Sequence, residues 1–338
     1  MDSRIHLQEL IAQVKQRNPQ LVCLQIPEGL KFNVTEIEDA FSKENIPVIT
    51  ILDPSFGACD IADDKAKLLG ADLLVHFGHA KMMHTAQNVI YWPVFYDFND
   101  AFVQDAVAAL KKDKFFATHK KIGLFVTIQF HDNLQKIKTG MEKAGFEVHT
   151  GKGDLLEGQI LGCDASARNT ISEKCDAFLY FGDGYFHSLA VAYASDKPTY
   201  QFNPFTKELE HLNTYREKLL RVRSGLINKA MDAKTFGIIV CTKKGQMRKA
   251  LALKTKTMLE EAGKKAYLFC MDHITPQSLI GVQCDAYVNT ACTRIAIDDA
   301  QNYPKPMLTP AEIEILVGQR TFANYKLDEI RHFGTKVE

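Results

Sequence analysis

Three of the eight cysteines lie where burial in an apolar strand does not account for them. Each sits in a polar turn with Gly or Thr neighbours, just past an apolar run. The turns are Ser55-Phe56-Gly57-Ala58-Cys59-Asp60, Gly158-Gln159-Ile160-Leu161-Gly162-Cys163 and Asn289-Thr290-Ala291-Cys292-Thr293-Arg294. None of the eight forms a CxxC or CxxxC pair, so the close spacing by which zinc ribbons hold their metal is missing. Three thiolates converging on one centre suit an iron-sulfur cluster with one iron left open for substrate, as catalytic metal sites keep an open position.

The other five cysteines read as small buried hydrophobes. Cys23, Cys241 and Cys270 lie in or at the ends of apolar strands, and Cys175 and Cys284 share a position just before Asp-Ala at a strand start. Around the third turn stand two further groups with chemistry, Arg294 and Asp298. Another candidate ligand turn is Gly182-Asp183-Gly184-Tyr185-Phe186-His187, where the glycines let backbone approach a ligand and Asp183 can accept hydroxyl donors. Lys243-Lys244-Gly245-Gln246, ahead of a helix, has the make-up of an anion-binding turn without being a P-loop. His76, His79, His131 and His187 are candidate bases or supporting groups, against the plainer reading of structural or exposed histidines.

These turns need elements to position them, and the chain supplies the same set three times. Apolar strands start at Leu21, Ile122 and Phe236, and later ones at Asp72, Asp176 and Asp285. Helical stretches stand between them at Lys31–Lys43, Ile61–Leu69, Asn133–Ala144 and Met247–Ala262. Val89–Phe95 reads as an edge strand because Pro93 cannot donate to a central ladder. Thr206 to about Lys229 reads as a long polar helix connecting the second and third units. A period of about 100 residues exceeds solenoid repeats and matches tandem domains. The expected division is 1–115 with Cys59, 116–225 with Cys163, and 226–338 with Cys292. Strands alternating with helices imply parallel sheets, whose ligands gather at the carboxyl ends of the strands.

Composition narrows the function classes. Lys plus Arg and Asp plus Glu are both 41, which gives no basic field for direct nucleic-acid binding. No apolar run approaches the ~18 residues of a membrane span. The start, Met1 to Leu10, reads as a short amphipathic helix rather than a signal peptide, so a cytoplasmic protein is expected. Unpaired cysteines fit that reducing compartment.

The cysteine turns, with Gly182-Asp183-Gly184-Tyr185-Phe186-His187 and Arg294-Ile295-Ala296-Ile297-Asp298-Asp299, resemble those of the archaeal diphthamide synthase family across the whole chain. Thr293 departs from the pattern, standing where proline is expected. The resemblance implies three tandem, pseudo-threefold-related α/β domains with parallel sheets and a 4Fe-4S cluster at the centre. Cys59, Cys163 and Cys292 would be its ligands, one from each domain, in a homodimeric 2-(3-amino-3-carboxypropyl)histidine synthase. Members cleave the Cγ–S bond of S-adenosylmethionine at the open iron. The 3-amino-3-carboxypropyl radical then adds to C2 of a histidine in translation elongation factor 2, the first step of diphthamide synthesis, with a reductant or electron donor protein as a further partner.

On that basis Arg294 is expected to pair with the cofactor carboxylate and Asp298 with its ammonium, against the plainer reading of an ion pair inside the turn. Asp183 is expected at the ribose, and Gly184, Tyr185, His187, Lys244 and Gln246 complete the expected contact set. The rival readings are a cluster hydro-lyase similar to quinolinate synthase and a non-catalytic electron-transfer subunit.

Overall fold

The computed structural model describes residues 3–83, 85 and 88–331. It is an α/β protein with three mainly parallel sheets, and each opens with the same strand order.

The first sheet is built from β1 (Val22–Gln25), β2 (Val48–Ile51), β3 (Leu73–Phe77) and β4 (Val89–Trp92) in the order β2-β1-β3-β4, all parallel. Helices α1 (Leu7–Gln16), α2 (Val34–Lys43) and α3 (Asp63–Leu68) accompany it. The strands of its centre are buried throughout and carry continuous apolar runs, as expected when a parallel sheet is covered on both faces. Leu10 and Val14 of α1 join Leu24, Phe41, Val75 and Phe77 in one core. β4 is an edge strand, ending just before Pro93 as expected.

Helices α4 (Asp100–Lys112) and α5 (Phe115–Thr118) lead into the second sheet. Its strands are β5 (Lys121–Phe125), β6 (Glu147–His149), β7 (Ala177–Phe181), β8 (Thr199–Asn203) and β9 (Glu208–His211), in the order β6-β5-β7-β8-β9. Helices α6 (Leu134–Lys143) and α7 (Tyr185–Tyr193) belong to this span, and α8 (Asn213–Ala230) follows. The third sheet comprises β10 (Thr235–Cys241), β11 (Lys265–Met271), β12 (Ala286–Asn289) and β13 (Met307–Leu308), ordered β11-β10-β12-β13. With it run α9 (Lys249–Glu261), α10 (Thr293–Ile297) and α11 (Pro310–Leu316).

A repeated aspartate explains why strands starting at the same place in each span read alike. Asp72 accepts the backbone N–H groups of Gln20 and Leu21, Asp176 that of Lys121, and Asp285 those of Lys234 and Thr235, each at 2.9 to 3.1 Å. Each carboxylate thus fixes the start of the central strand against its neighbour. Backbone donation from Gln20 lowers the Asp72 pKa, and the Thr235 hydroxyl, followed by backbone donors, lowers that of Asp285.

Three expectations need correcting. The segment from Thr206 does not begin as helix. Asn203 accepts from the backbone N–H groups of Phe205 and Thr206, Lys207 takes φ 62°, and the chain turns back as the antiparallel strand β9 before α8 starts. The N-terminal helix occupies Leu7–Gln16, later than expected, because its buried stripe is Leu7, Leu10, Ile11 and Val14. Cys270 is exposed, since β11 is an edge strand.

The chain groups into two compact units. Among the described residues, one holds those up to Phe98 together with Ile128–Asn133, and the other holds Asn99–Thr127 with residues 134–331. Among the described residues no helix is long and apolar enough to cross a membrane.

Candidate functional site

Cys59 lies in the loop that leaves β2 at its carboxyl end, and one buried amide organises that loop. Gln25, the last residue of β1, is 3% exposed. Its Nε2 donates to the Asp60 carbonyl at 2.6 Å and to Ser55 Oγ at 3.3 Å, while its Oε1 accepts the Ala62 backbone N–H at 2.9 Å. Two backbone groups therefore fix which end of the amide is oxygen. His76 Nδ1, 2.7 Å from that oxygen, must carry the proton and donate to it. In the neutral ring His76 Nε2 is then an acceptor, and His79 Nδ1 donates to it at 3.0 Å. Burial holds both rings neutral, lowering His76 to about 3, with His79 adding to the effect, and His79 to about 4.

Cys163 occupies a tight reversal. Leu161 and Asp164 exchange backbone hydrogen bonds at 2.8 and 3.1 Å around Gly162 and Cys163. The Gly162 N–H donates to His187 Nδ1 at 3.1 Å, and the Cys163 carbonyl accepts from Ile330 N–H at 2.9 Å. A side chain at position 162 is excluded, because a Cβ there would stand 2.3 Å from the Phe186 ring.

Cys292 precedes α10 at the carboxyl end of β12. Asn289 brackets its turn, donating to the Cys292 carbonyl at 2.8 Å and accepting from Ala291 N–H at 3.1 Å. Behind the turn lies Arg248. Its guanidinium donates to the Thr290 carbonyl at 2.7 Å and the Ala291 carbonyl at 3.0 Å, and grips Asp328 through two hydrogen bonds of 2.7 and 2.6 Å. Burial raises the Cys292 thiol above its ordinary value, against lowering by the Arg294 backbone and by the charges of Arg294 and Arg248.

Beside the Cys163 and Cys292 turns, within the second unit, opens a small, partly open pocket. Phe186, Ala190 and Tyr193 of α7 line it on one side, and Thr293, Arg294 and Asp298 on the other. Arg294 is 56% exposed and lies 3.8 Å from both Asp298 and Asp299. Those separations exceed a hydrogen bond, so its fork is not locked inside the turn. The guanidinium carbon stands 5.4 Å from the centre of the Phe186 ring, a cation–π approach. Burial raises the Asp298 carboxyl above its usual range, opposed by Arg294.

The remaining expected residues divide. Asp183 and Gly184 are exposed at the carboxyl end of β7, where Gly184 takes φ 67°, a backbone setting that favours glycine. The Tyr185 hydroxyl donates to Glu210 at 2.7 Å, and Tyr215 binds the other oxygen of the same carboxylate at 2.8 Å. His187 stands behind the Cys163 turn as described. Lys244 is half-buried, and Gln246 is 4% exposed with its carboxamide 3.6 Å from the Cys241 thiol. Sequence reasoning missed Gln25, Arg248, Phe186 and Tyr193. Gln25 had a signal, a lone polar residue inside an apolar strand; Arg248 had none, since its partners are 42, 43 and 80 positions away.

The three thiols match the donor set of an iron-sulfur cluster, and each turn is fixed from behind by its own hydrogen bonds. Among the described residues, no three or more His, Cys, Asp or Glu side chains are placed to share one metal ion.

Residues 26–326 match the family model for diphthamide synthesis proteins. The chain is 36% identical to the 2-(3-amino-3-carboxypropyl)histidine synthase of Pyrococcus horikoshii, over 95% of this chain and 92% of that protein. It is 30% identical to the synthase of the same name from Methanocaldococcus jannaschii, covering 95% and 90% of the two chains. Among solved structures it is similar to Dph2 from Pyrococcus horikoshii with a 4Fe-4S cluster, with a TM-score of 0.89 at 34% identity, covering 99% of this chain and 96% of that one.

Proposed function

This chain belongs to the diphthamide synthesis protein family, and on that premise we infer that it is a 2-(3-amino-3-carboxypropyl)histidine synthase carrying out the first step of diphthamide synthesis. Cys59, Cys163 and Cys292 hold a 4Fe-4S cluster, one thiol from each of three domains at 1–115, 116–225 and 226–338. When bound, the cluster supplies the electron that breaks the Cγ–S bond of S-adenosylmethionine, releasing a 3-amino-3-carboxypropyl radical for C2 of a histidine in translation elongation factor 2.

The chain's own residues bind and orient. Arg294 gives up its long contacts with Asp298 and Asp299 for the substrate carboxylate, which a planar fork accepts through two bonds. Asp298, freed of that contact, takes the ammonium. Phe186 keeps the guanidinium over the pocket. Asp183 receives the ribose hydroxyls, Gly184 leaves room for the nucleoside, and Lys244 offers a further cation. Tyr185, His187 and Gln246 stiffen the turns through Glu210, Gly162 and Cys241.

The enzyme works as a homodimer in the cytoplasm with a reducing partner and without direct nucleic-acid contact. Its eight free cysteines support the reducing compartment, and its 41 basic and 41 acidic residues support a folded protein as partner.

The observation that carries this reading is one thiol in each repeat, in a turn built at the carboxyl end of the sheet. Anaerobic incubation with dithionite, elongation factor 2 and S-adenosylmethionine labelled in its aminocarboxypropyl group is expected to label the factor and release methylthioadenosine. Equal labelling without reductant, or labelling of a factor lacking its target histidine, overturns the mechanism.

A further inference from the structure

One polar atom in the pocket has no use inside the fold. Thr293 is 2% exposed, and its hydroxyl has no hydrogen-bond partner among the described residues. A buried hydroxyl left in that state is destabilising, because it has given up water without gaining a partner. Helical threonines elsewhere avoid the cost by donating to the carbonyl one turn earlier, as Thr255 does to Leu251 at 2.8 Å and Thr257 to Leu253 at 3.3 Å. Thr293 is the first residue of α10, so no preceding helical turn offers it a carbonyl. What lies before it is the pocket, shared with Arg294 and Asp298.

We propose that the Thr293 hydroxyl recognises the amino acid end of S-adenosylmethionine, donating a hydrogen bond to the carboxylate that Arg294 grips from its other side. The inference rests on the substrate reading above and adds a residue to it. The chemistry divides cleanly among the polar groups present. Thr293 and Arg294 are donors and suit the carboxylate, whereas Asp298 is the acceptor and suits the ammonium. The apolar side chains of Phe186, Ala190 and Tyr193 line the same pocket, so a hydrogen bond made against them is less shared with solvent than one at an open surface. A ligand lacking the amino acid end leaves the hydroxyl as it already is, and gains nothing from it.

The test is calorimetric titration of anaerobic, cluster-loaded protein with S-adenosylmethionine and, separately, with methylthioadenosine, which lacks the amino acid end. Thr293→Val keeps the shape and removes the donor. It is expected to weaken S-adenosylmethionine binding roughly tenfold or more, the loss of one hydrogen bond to a charged group, and to leave methylthioadenosine unchanged. Thr293→Ser, which restores the hydroxyl, is expected to bind within about threefold of wild type. Cluster absorbance and melting temperature report whether either variant is intact. Unchanged affinity of an intact Thr293→Val protein overturns this assignment alone. Equal weakening toward both ligands also overturns it, since that marks a packing role. Wild-type protein that binds neither ligand overturns the substrate reading itself.

Discussion

The loops carrying Cys59 and Cys292 both leave the carboxyl ends of strands in parallel sheets with the same opening order, one after the edge strand β2 and the other after the inner strand β12, and opposite chemistry holds them. The Cys59 loop hangs on a neutral network in which Gln25 meets Ser55, Asp60 and Ala62, backed by two uncharged histidines. The Cys292 turn is clamped by charge, with Arg248 spanning two carbonyls and Asp328. A neutral network of short bonds costs little to bury but fails when a member gains a proton. An ionic clamp is indifferent to histidine chemistry, but its desolvation makes either partner expensive to lose. The repeat therefore copies strand order without copying the means by which the thiol-bearing loops are supported.

The largest expected effect comes from breaking the clamp. Arg248→Met leaves Asp328, only 9% exposed at its side chain, without its partner, and the Thr290 and Ala291 carbonyls without donors. A loss of about 3 kcal/mol is expected in urea denaturation, as for one partner removed from a buried pair. Further replacement of Asp328 by Asn should recover part of it. In the intact variant, iodoacetamide should reach Cys292 faster while Cys59 keeps its wild-type rate. If both thiols accelerate equally, the two supports are not separate and the comparison fails.

Gln25→Leu makes the mirror experiment with a smaller effect. It orphans the Ala62 N–H and the Asp60 carbonyl and removes the acceptor of His76, but buries no unpaired charge. A loss of about 2 kcal/mol is expected, the cost of buried polar groups left unsatisfied. Here Cys59 should become the faster thiol and Cys292 should not change. Gln25→Glu sharpens the test, because a carboxylate accepts from Ala62 and His76 but cannot donate to the Asp60 carbonyl.

Much of the frame was legible in the sequence. Apolar runs behind Asp72, Asp176 and Asp285 are buried parallel strands, and Cys59, Cys163 and Cys292 do lie outside the strands, Cys59 in the loop after β2 and Cys292 in the turn after β12. The supports were not, for a physical reason. Arg248 reads as one more cation ahead of a helix, and only the folded chain brings Thr290 and Asp328 to it. The exposure of Cys270 depends on β11 being last in its sheet, a matter of strand order rather than of the apolar pattern around it. Strand β9 hid inside a polar run because, although Asn203-Pro204 marks a turn, the direction the chain takes after it is set by the Asn203 side chain and the positive φ of Lys207 rather than by any apolar pattern. Arg294 and Asp298 were found together, and the geometry leaves them close but not hydrogen-bonded.

The smallest effect is the most diagnostic, because only one of the two supports contains titrating rings. His76 and His79 have folded values near 3 and 4, below the ordinary 6.5. Well above pH 6.5 both rings are neutral whether the chain is folded or not, and they give stability no pH dependence. As pH falls below 6.5 the unfolded chain takes up protons that the folded protein refuses, so stability declines toward acid. The decline continues until the pH approaches the folded values, where the native rings titrate too. For His76 alone the loss by pH 5.5 is about 1.4 kcal/mol, one pH unit below the unfolded value. Substituting His76→Gln keeps a donor for Gln25 and removes the titration. The stability gap between wild type and this variant should therefore shift by about 1.4 kcal/mol in the variant's favour between pH 7.5 and 5.5, measured by urea unfolding. The Arg248→Met deficit contains no histidine and should hold constant over the same range. Parallel curves for wild type and His76→Gln would mean that the Cys59 loop does not rest on a neutral ring, and the contrast between the two supports would be lost.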